Sequence, residues 1–231
     1  MISNIFHIAF YKPLYNALIG LMNLIPFLDV GFAIILFTIL VRLALFPLSR
    51  RMVETQQALK TIDPEIKALK EKYKNDSQQQ AEQLLALYKK YKINPFSGIL
   101  LTFIQLPIIL ALYFVFRNGL PLIDTGSLYS FITPPQSINI LFLGFVDVMA
   151  KNIFLAILVG VTGFLQSYFM PTAASQADNM FTKSLQLQMR YMFPVLTGFI
   201  SYQLSAAISL YWITSNMFSV GQELFLRKSK K

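Results

Sequence analysis

Val30–Leu48 is a run of 19 residues whose only charge is Arg42, and it is long enough to cross a bilayer as a helix. Few folds are open to such a chain. Inside hydrocarbon every backbone N–H and C=O must be satisfied by the chain itself, so a span of this kind is helical. Nothing in the sequence reads as the alternating strands of about ten residues that build a membrane barrel. Near the middle of a helix Arg42 costs about 2.5–3.5 kcal/mol on insertion scales. Against it stand 13 Val, Leu, Ile and Phe residues in the same run, each worth about 0.3–0.6 kcal/mol when central. Insertion survives the charge, but the guanidinium still calls for water or a partner. An ionisable residue at membrane depth marks a functional site by default. The alternative is snorkelling, since Arg42 sits about 4.5 Å past the midpoint along the axis and has a long stem.

Composition matters here through its distribution. The chain has 231 residues, 55% of them hydrophobic, with a mean hydropathy of +0.53. The apolar excess over a soluble domain is concentrated in long uncharged runs, which predicts an all-α polytopic membrane protein. Cysteine is absent, so no disulfide, thiolate nucleophile, zinc–sulfur site or lipidated Cys is available. The single histidine, His7, lies in an apolar stretch far from other titratable groups and reads as an interfacial residue without chemistry. No phosphate-binding loop, HExxH pair or acidic calcium loop occurs. The expectation is a protein without catalytic residues, metal or cofactor. The net charge of +9 flanks the apolar runs, as membrane topology requires, so no direct contact with nucleic acid is expected.

The runs divide the chain. Residues 1–29 carry Leu14, Leu18, Leu21 and Ile25 at helical spacing between Pro13 and Pro26. They read as an amphipathic helix at the interface, with a signal anchor as the alternative. The first span covers 30–49, with Pro47 and Arg50–Arg51 at its exit. Residues 50–93 are polar, with 10 Lys/Arg and 6 Asp/Glu, and read as a helical hairpin outside the membrane. Asp63–Pro64–Glu65 looks like a helix start with Asp63 as cap, and Asn75–Asp76–Ser77 is a turn signal. Ile66, Leu69 and Tyr73 form one apolar face, and Leu84, Leu87, Tyr88 and Tyr91 the other. Forty-four residues exceed what joining two spans requires, so the hairpin is expected to contact other proteins.

The second span is 94–118, kinked at Pro107. An external loop over 119–151 follows, then the third span at 152–171 and a cytoplasmic loop at 172–190. The stretch 191–226 must hold one long helix or two shorter ones. With a turn at Ser205–Ala206 it divides into a fourth span, 191–204, and a fifth, 206–226, before the basic tail 227–231. The fourth is shorter than the hydrocarbon, which implies local bilayer thinning. With 50–93 in the cytoplasm, 16 Lys/Arg collect on that side and three (Lys12, Arg117, Lys151) on the other, as the positive-inside rule demands. The N-terminus is then outside and the C-terminus cytoplasmic.

Helical spacing groups the polar residues of the spans. Thr38, Arg42 and Ser49 share one face; Thr102 and Gln105, Thr162 and Gln166, and Thr197 and Ser201 share others. The fifth span carries Ser209, Trp212, Asn216 and Ser219, with Glu223 near its cytoplasmic end. Any one Ser or Thr is ordinarily a packing residue. As a set they read as the lining of a hydrated cationic pocket around Arg42. Such a pocket attracts an anion: a solute, a lipid headgroup or an acidic peptide segment.

Four stretches carry a resemblance. They are FAIILFTILVRLALFPLSRR from Phe32, ALKTIDPEIKALKEKY from Ala58, NPFSGILLTFIQLPIILALY from Asn94 and LYWITSNMFSVGQE from Leu210. In this order and spacing they resemble the YidC/Oxa/Alb membrane protein insertase family, in its short bacterial form, over about residues 10–226. The resemblance implies five transmembrane helices around a hydrophilic groove and a cytoplasmic helical hairpin. The groove would open to the cytoplasm and to lipid. Arg42 then matches the groove arginine, Thr38 a position one turn earlier, and Gln166 and Trp212 groove-lining positions. Gln105 and Asn216 lie in motif segments, and Ser209 joins them through the polar stripe. The implied activity is insertion and folding of membrane proteins, alone or with the Sec translocon, in a bacterial inner membrane. The implied partners are nascent membrane proteins and the lipid bilayer, with the Sec translocon, ribosome or targeting factors at the hairpin. Unlike in longer family forms, no large external domain is expected before the first span, and the basic tail read here is 227–231. Two other readings of the residues stay open: a transporter or channel for an anionic solute, and a membrane scaffold acting through the hairpin.

Overall fold

The computed structural model describes residues 4–94, 97–120, 123–169 and 187–228. The body of the expected 172–190 loop, Pro171 and the tail beyond Lys228 lie outside the described residues, as does the side chain of Thr102. The described chain is overwhelmingly helical, with one two-residue β-ladder.

The first helix does not start at Pro13. It runs from Asn4–Phe6 through a π-helical turn, His7–Tyr11, into α1, Lys12–Leu24. Pro13 lacks an N–H, so one helical bond is forfeited there. The wider turn just before it lets the Lys12 N–H reach back to the His7 carbonyl, and the helix carries on. Tyr11, Tyr15, Leu18, Ile19 and Met22 are buried, so this helix is part of the core.

The expected first span is broken. α2 is Val30–Ala44 and α3 is Phe46–Thr61, bent by 62° about Leu45. Pro47 is the cause. Its ring would clash with the carbonyl of Leu43 in a continuous helix. That carbonyl instead accepts from Leu45, and Pro47 sits in the first turn of α3, where a missing N–H is harmless. Asp29 caps α2, its carboxylate accepting from Phe32 N at 2.9 Å.

α4 (Asp63–Lys72) and α5 (Ser77–Lys90) form an antiparallel pair. Asp63 is not the cap expected of it. It is the first residue inside α4, paired with Lys67 at 3.2 Å, and Ile62 takes the cap position without a side-chain bond. Asp76 does cap α5, accepting from Gln79 N at 2.9 Å. The pair has its own small core of Leu59, Ile62, Ile66 and Ile93, flanked by Leu84, Leu87 and Tyr88. Tyr91 instead lies at the surface, where its hydroxyl donates to Glu65.

α6 (Ser97–Phe114) contains Pro107 and continues into a π-helical turn, Val115–Gly119. The described residues after it, from Ile123 on, form turns and a short hairpin. A 3₁₀ turn, Thr125–Ser127, precedes a hairpin of β1 (Leu141–Phe142) and β2 (Val146–Asp147), with Leu141 opposite Asp147 and Phe142 opposite Val146. This segment ties three elements together. Asn16 of α1 donates to Ser127 O at 2.8 Å and accepts from Tyr129 N at 2.7 Å. Val30 N of α2 reaches Asn139 O at 2.9 Å, and Ala207 N of the last helix reaches Val148 O at 2.8 Å.

α7 (Ile153–Phe169) packs along both α8 (Phe193–Gln203) and α9 (Ala206–Lys228), and α9 packs along α2. A π-helical turn, Gln188–Met192, leads into α8, and the chain breaks at Leu204–Ser205 before α9. α7 and α8 approach closely because Gly198 has no side chain. A β-carbon there would stand 3.2 Å from the Ala156 carbonyl and 3.4 Å from the Gly160 Cα. Small residues at contact points suit helices that gain little from apolar burial against lipid.

The main core joins α1, α2, α6 and the start of α9 through Leu18, Ile34, Phe37, Leu112, Val115 and Tyr211. The outside is apolar as well. On α7, Phe154, Ile157, Leu158, Val161, Phe164 and Tyr168 form an exposed stripe at helical spacing, and Val195, Leu196 and Phe199 do so on α8. Among the described residues no single helix is long and apolar enough to cross a membrane by itself. α2 and α3 meet that requirement only as a bent pair.

Candidate functional site

The site is built where α2 meets α9. Residues 211, 215, 219 and 222 recur every three to four positions, so Tyr211, Ser215, Ser219 and Gln222 form one stripe along α9. From α2 come Thr38 and Arg42, one turn apart; Ser49 of α3 and Gln105 of α6 complete the ring.

Arg42 reaches across to Ser215. Its Nε donates to Ser215 Oγ at 2.7 Å, and Nη2 donates to the same oxygen. Gln105 donates from Nε2 to the hydroxyl of Tyr211, one turn above. Gln222 donates to Ser49 Oγ at 2.8 Å, below. Ser219 bonds back to Ser215 O at 2.9 Å. Thr38, one turn before Arg42, is fully buried and returns its hydroxyl to Ile34 O of its own helix at 2.6 Å.

The electrostatics are one-sided. Among the described residues no carboxylate lies within ion-pair distance of Arg42. The ion pairs formed are Arg50–Glu54, Lys67–Asp63, Lys74–Glu71, Lys90–Glu65 and Arg227–Glu223. A hydrogen bond from a charged group to a neutral one is worth about 1.5–3 kcal/mol. Withdrawing a cation from water costs several kcal/mol even after relaxation. Ser215 orients the guanidinium without neutralising it. Five N–H donors in a planar fork match a carboxylate or phosphate, so the site is complementary to an anion.

The remaining expected residues lie elsewhere on the same bundle. Asn216 donates to Thr162 Oγ1 of α7 at 3.2 Å, and Ser209 bonds Ser201 of α8 at 2.7 Å. Gln166 is half-buried on α7, and Trp212 packs against the main core. The stripe read as Ser209, Trp212, Asn216 and Ser219 therefore divides between two sides of α9. Thr38, Arg42 and Gln105 meet at α2–α9, whereas Asn216, Ser209 and Gln166 are on or against α7 and α8. Ser215, Tyr211 and Gln222 went unread in the sequence. The signal was available, because they fall at i+4 and i+11 from Tyr211, but serine and tyrosine in a span are common packing residues.

A helical bundle with an apolar exterior is the architecture of an integral membrane protein, and here it holds a half-buried arginine with no carboxylate within ion-pair distance among the described residues. The sequence profile of the 60Kd inner membrane protein family matches residues 21–231, and the chain belongs to that family, the YidC/Oxa group. Its relatives include the membrane protein insertase YidC of Fusobacterium nucleatum, 32% identical over 86% of this chain and 86% of that protein. The protein of the same name from Clostridium tetani is 32% identical over 88% of this chain and 84% of its own length. That of Wolinella succinogenes is 34% identical over 95% of this chain, which spans 37% of that longer protein.

Proposed function

We propose that this chain is a membrane protein insertase, acting without making or breaking a covalent bond. The observation that carries the reading is Arg42: a guanidinium inside the helix bundle, oriented by Ser215 and lacking a carboxylate partner among the described residues. Relatives over nearly the whole chain bear the insertase name.

In this reading five spans surround a groove around Arg42, with Gln105, Gln166, Trp212 and Asn216 along it and Thr38 and Ser209 buried in the helix packing behind it. The α4–α5 hairpin and the C-terminus are cytoplasmic and the N-terminus is outside. An acidic residue in the polar tail of a client pairs with Arg42, where low dielectric strengthens the attraction. The tail then has a shorter path through a bilayer that the short helices thin. α8 and the π-helical turn before it form one continuous helix over 187–203, about 25 Å long, a little short of a hydrocarbon core of about 30 Å. The client's apolar segment moves into lipid, driven by burial of its surface. A membrane potential of 100 mV contributes about 2.3 kcal/mol per acidic charge moved. The hairpin is the meeting point for the ribosome, targeting factors or the Sec translocon.

The test is insertion of a single-span client into proteoliposomes, scored by protease protection, with acidic and neutral tails compared. Protection that requires the protein and falls for acidic tails in Arg42→Ala is the expected result. Equal loss for both tails would sink the charge-attraction step. Absence of protection by folded wild type, with saturable flux of an anionic solute, would replace the insertase by a transporter.

A further inference from the structure

We infer that the β1–β2 hairpin is a membrane-docking element, its tip Leu143–Phe145 seated in the lipid leaflet beside the N-terminal end of α2. The inference rests on the chain's place in a membrane and is independent of the insertase reading.

The tip is apolar and uncovered. Leu143 is 53% exposed and Phe145 75% exposed. A β-carbon built on Gly144, at φ 82, meets nothing within 4 Å, so the turn stands clear of its own chain. Leu143 holds φ 56, a left-handed conformation that a branched apolar side chain adopts rarely. Strain at an exposed residue persists only where the surroundings enforce it.

The surroundings do enforce it. Asp29 accepts from Leu143 N at 3.1 Å with one carboxylate oxygen and caps α2 through Phe32 N with the other. Asn139 O accepts from Val30 N at 2.9 Å. The Phe142 ring lies over Gly31 so closely that any β-carbon there would overlap it. Phe142 also meets Phe32 edge-on, ring centroids 5.2 Å apart. The hairpin is thus fixed rigidly to the first turn of α2.

Its position names the occupant. Phe32 shares one exposed face of α2 with Leu40 and Leu43, a face that in a membrane protein is turned to lipid. The hairpin extends that face by Phe142, Leu143 and Phe145. An aromatic and a branched aliphatic side chain on a rigid turn at the end of a span fit the boundary of headgroups and acyl chains. Between the tip and the exposed Phe131 the chain at Gln136 and Ser137 is exposed and polar, so Ser137 gives a solvent-facing reference in the same segment.

The chain contains no cysteine, so a single introduced thiol can be labelled cleanly. Phe145→Cys, Leu143→Cys and Ser137→Cys, each carrying an environment-sensitive nitrobenzoxadiazole, are reconstituted in phosphatidylethanolamine/phosphatidylglycerol vesicles. A nitroxide on the upper acyl chain serves as quencher. The expected result is blue-shifted emission at 145 and 143, with quenching several-fold above that at 137 and little access to aqueous iodide. Emission and iodide access equal to those at 137 would overturn the proposal. So would a blue shift that disappears when the protein is diluted to one copy per vesicle, since a second copy would then be the cover. Two tip positions guard against one label disturbing the turn, and retained proteoliposome reconstitution of each variant establishes its fold.

Discussion

At the residue scale the decisive pair is Arg42 and Ser215. Arg42 supplies charge, and Ser215 fixes where the charge points, through a 2.7 Å bond from Nε. The two contributions separate by substitution. Arg42→Ala is expected to lower insertion of acidic-tailed clients by about tenfold, equivalent to about 1.4 kcal/mol, with neutral tails affected less. Arg42→Lys keeps the charge but not the planar fork, and is expected to fall between wild type and Arg42→Ala. Both are read by protease protection in proteoliposomes. Ser215→Ala retains the cation and loses only its orientation. Its expected defect is smaller than that of Arg42→Ala, and the preference for acidic over neutral tails survives. A Ser215→Ala protein without that preference would mean the serine itself contacts the client.

At the element scale the bend between α2 and α3 is a consequence of one proline. A proline inside a helix costs about 3 kcal/mol, and breaking at Leu45 avoids it. Pro47→Ala should therefore straighten the pair. Spin labels on cysteines placed at Leu40 and Arg51 would report a longer distance in the Pro47→Ala protein. An unchanged distance would show that packing of α3 on α6 sets the 62° angle instead. The α4–α5 hairpin has a different sensitivity. Burial pushes the Tyr88 phenol up, and the hydrogen bond to Glu65 pushes Tyr91 up. A raised acid holds its proton more tightly in the folded state. The stability it lends is complete below the ordinary tyrosine value of about 10 and is lost as pH rises past it. Helicity of the whole protein should fall in that alkaline window, and the double variant Tyr88→Phe, Tyr91→Phe should blunt the fall.

At the scale of the whole molecule there are two cores. The hairpin packs around Ile66 in one cluster, and the bundle packs around Tyr15, Phe37 and Tyr211 in another. Removing the hairpin is therefore expected to uncover Leu59, Ile62 and Ile93 while leaving the bundle core intact. Replacing Asp63–Tyr91 by a short polar linker is expected to leave insertion of a purified client in proteoliposomes near wild type. The same protein should lose co-sedimentation with translating ribosomes. Loss of insertion itself would favour the scaffold reading. The segment from Ile123 to Ala150 has the opposite character, since it bonds to α1, α2 and α9 at once.

What the sequence settled by itself was local and periodic. Helical character and the family followed from apolar runs, charge placement and four motif stretches, and the same patterns singled out the polar segment 50–93 and Arg42. Each depends on residues close together in the chain. The bend at Leu45 was half visible: Pro47 announced an end to a span, but a proline in the first turn of the next helix can equally be a bend. Pro13 misled in the opposite direction, because a π-helical turn absorbed its missing N–H. Asp63 was a capable cap displaced into the helix by its neighbour Ile62. Only the tertiary structure decided which hydroxyl faces Arg42. Ser209, Ser215 and Ser219 are chemically alike, and the choice among them depends on the rotation of α9 against α2 and α7. The bonding of residues 123–150 to the helices was hidden for the same reason. Asn16, Asp29 and Asn139 are ordinary polar residues until partners more than 100 positions away along the chain are folded against them. Their hydrogen bonds join distant backbone, and no local pattern records such a pairing.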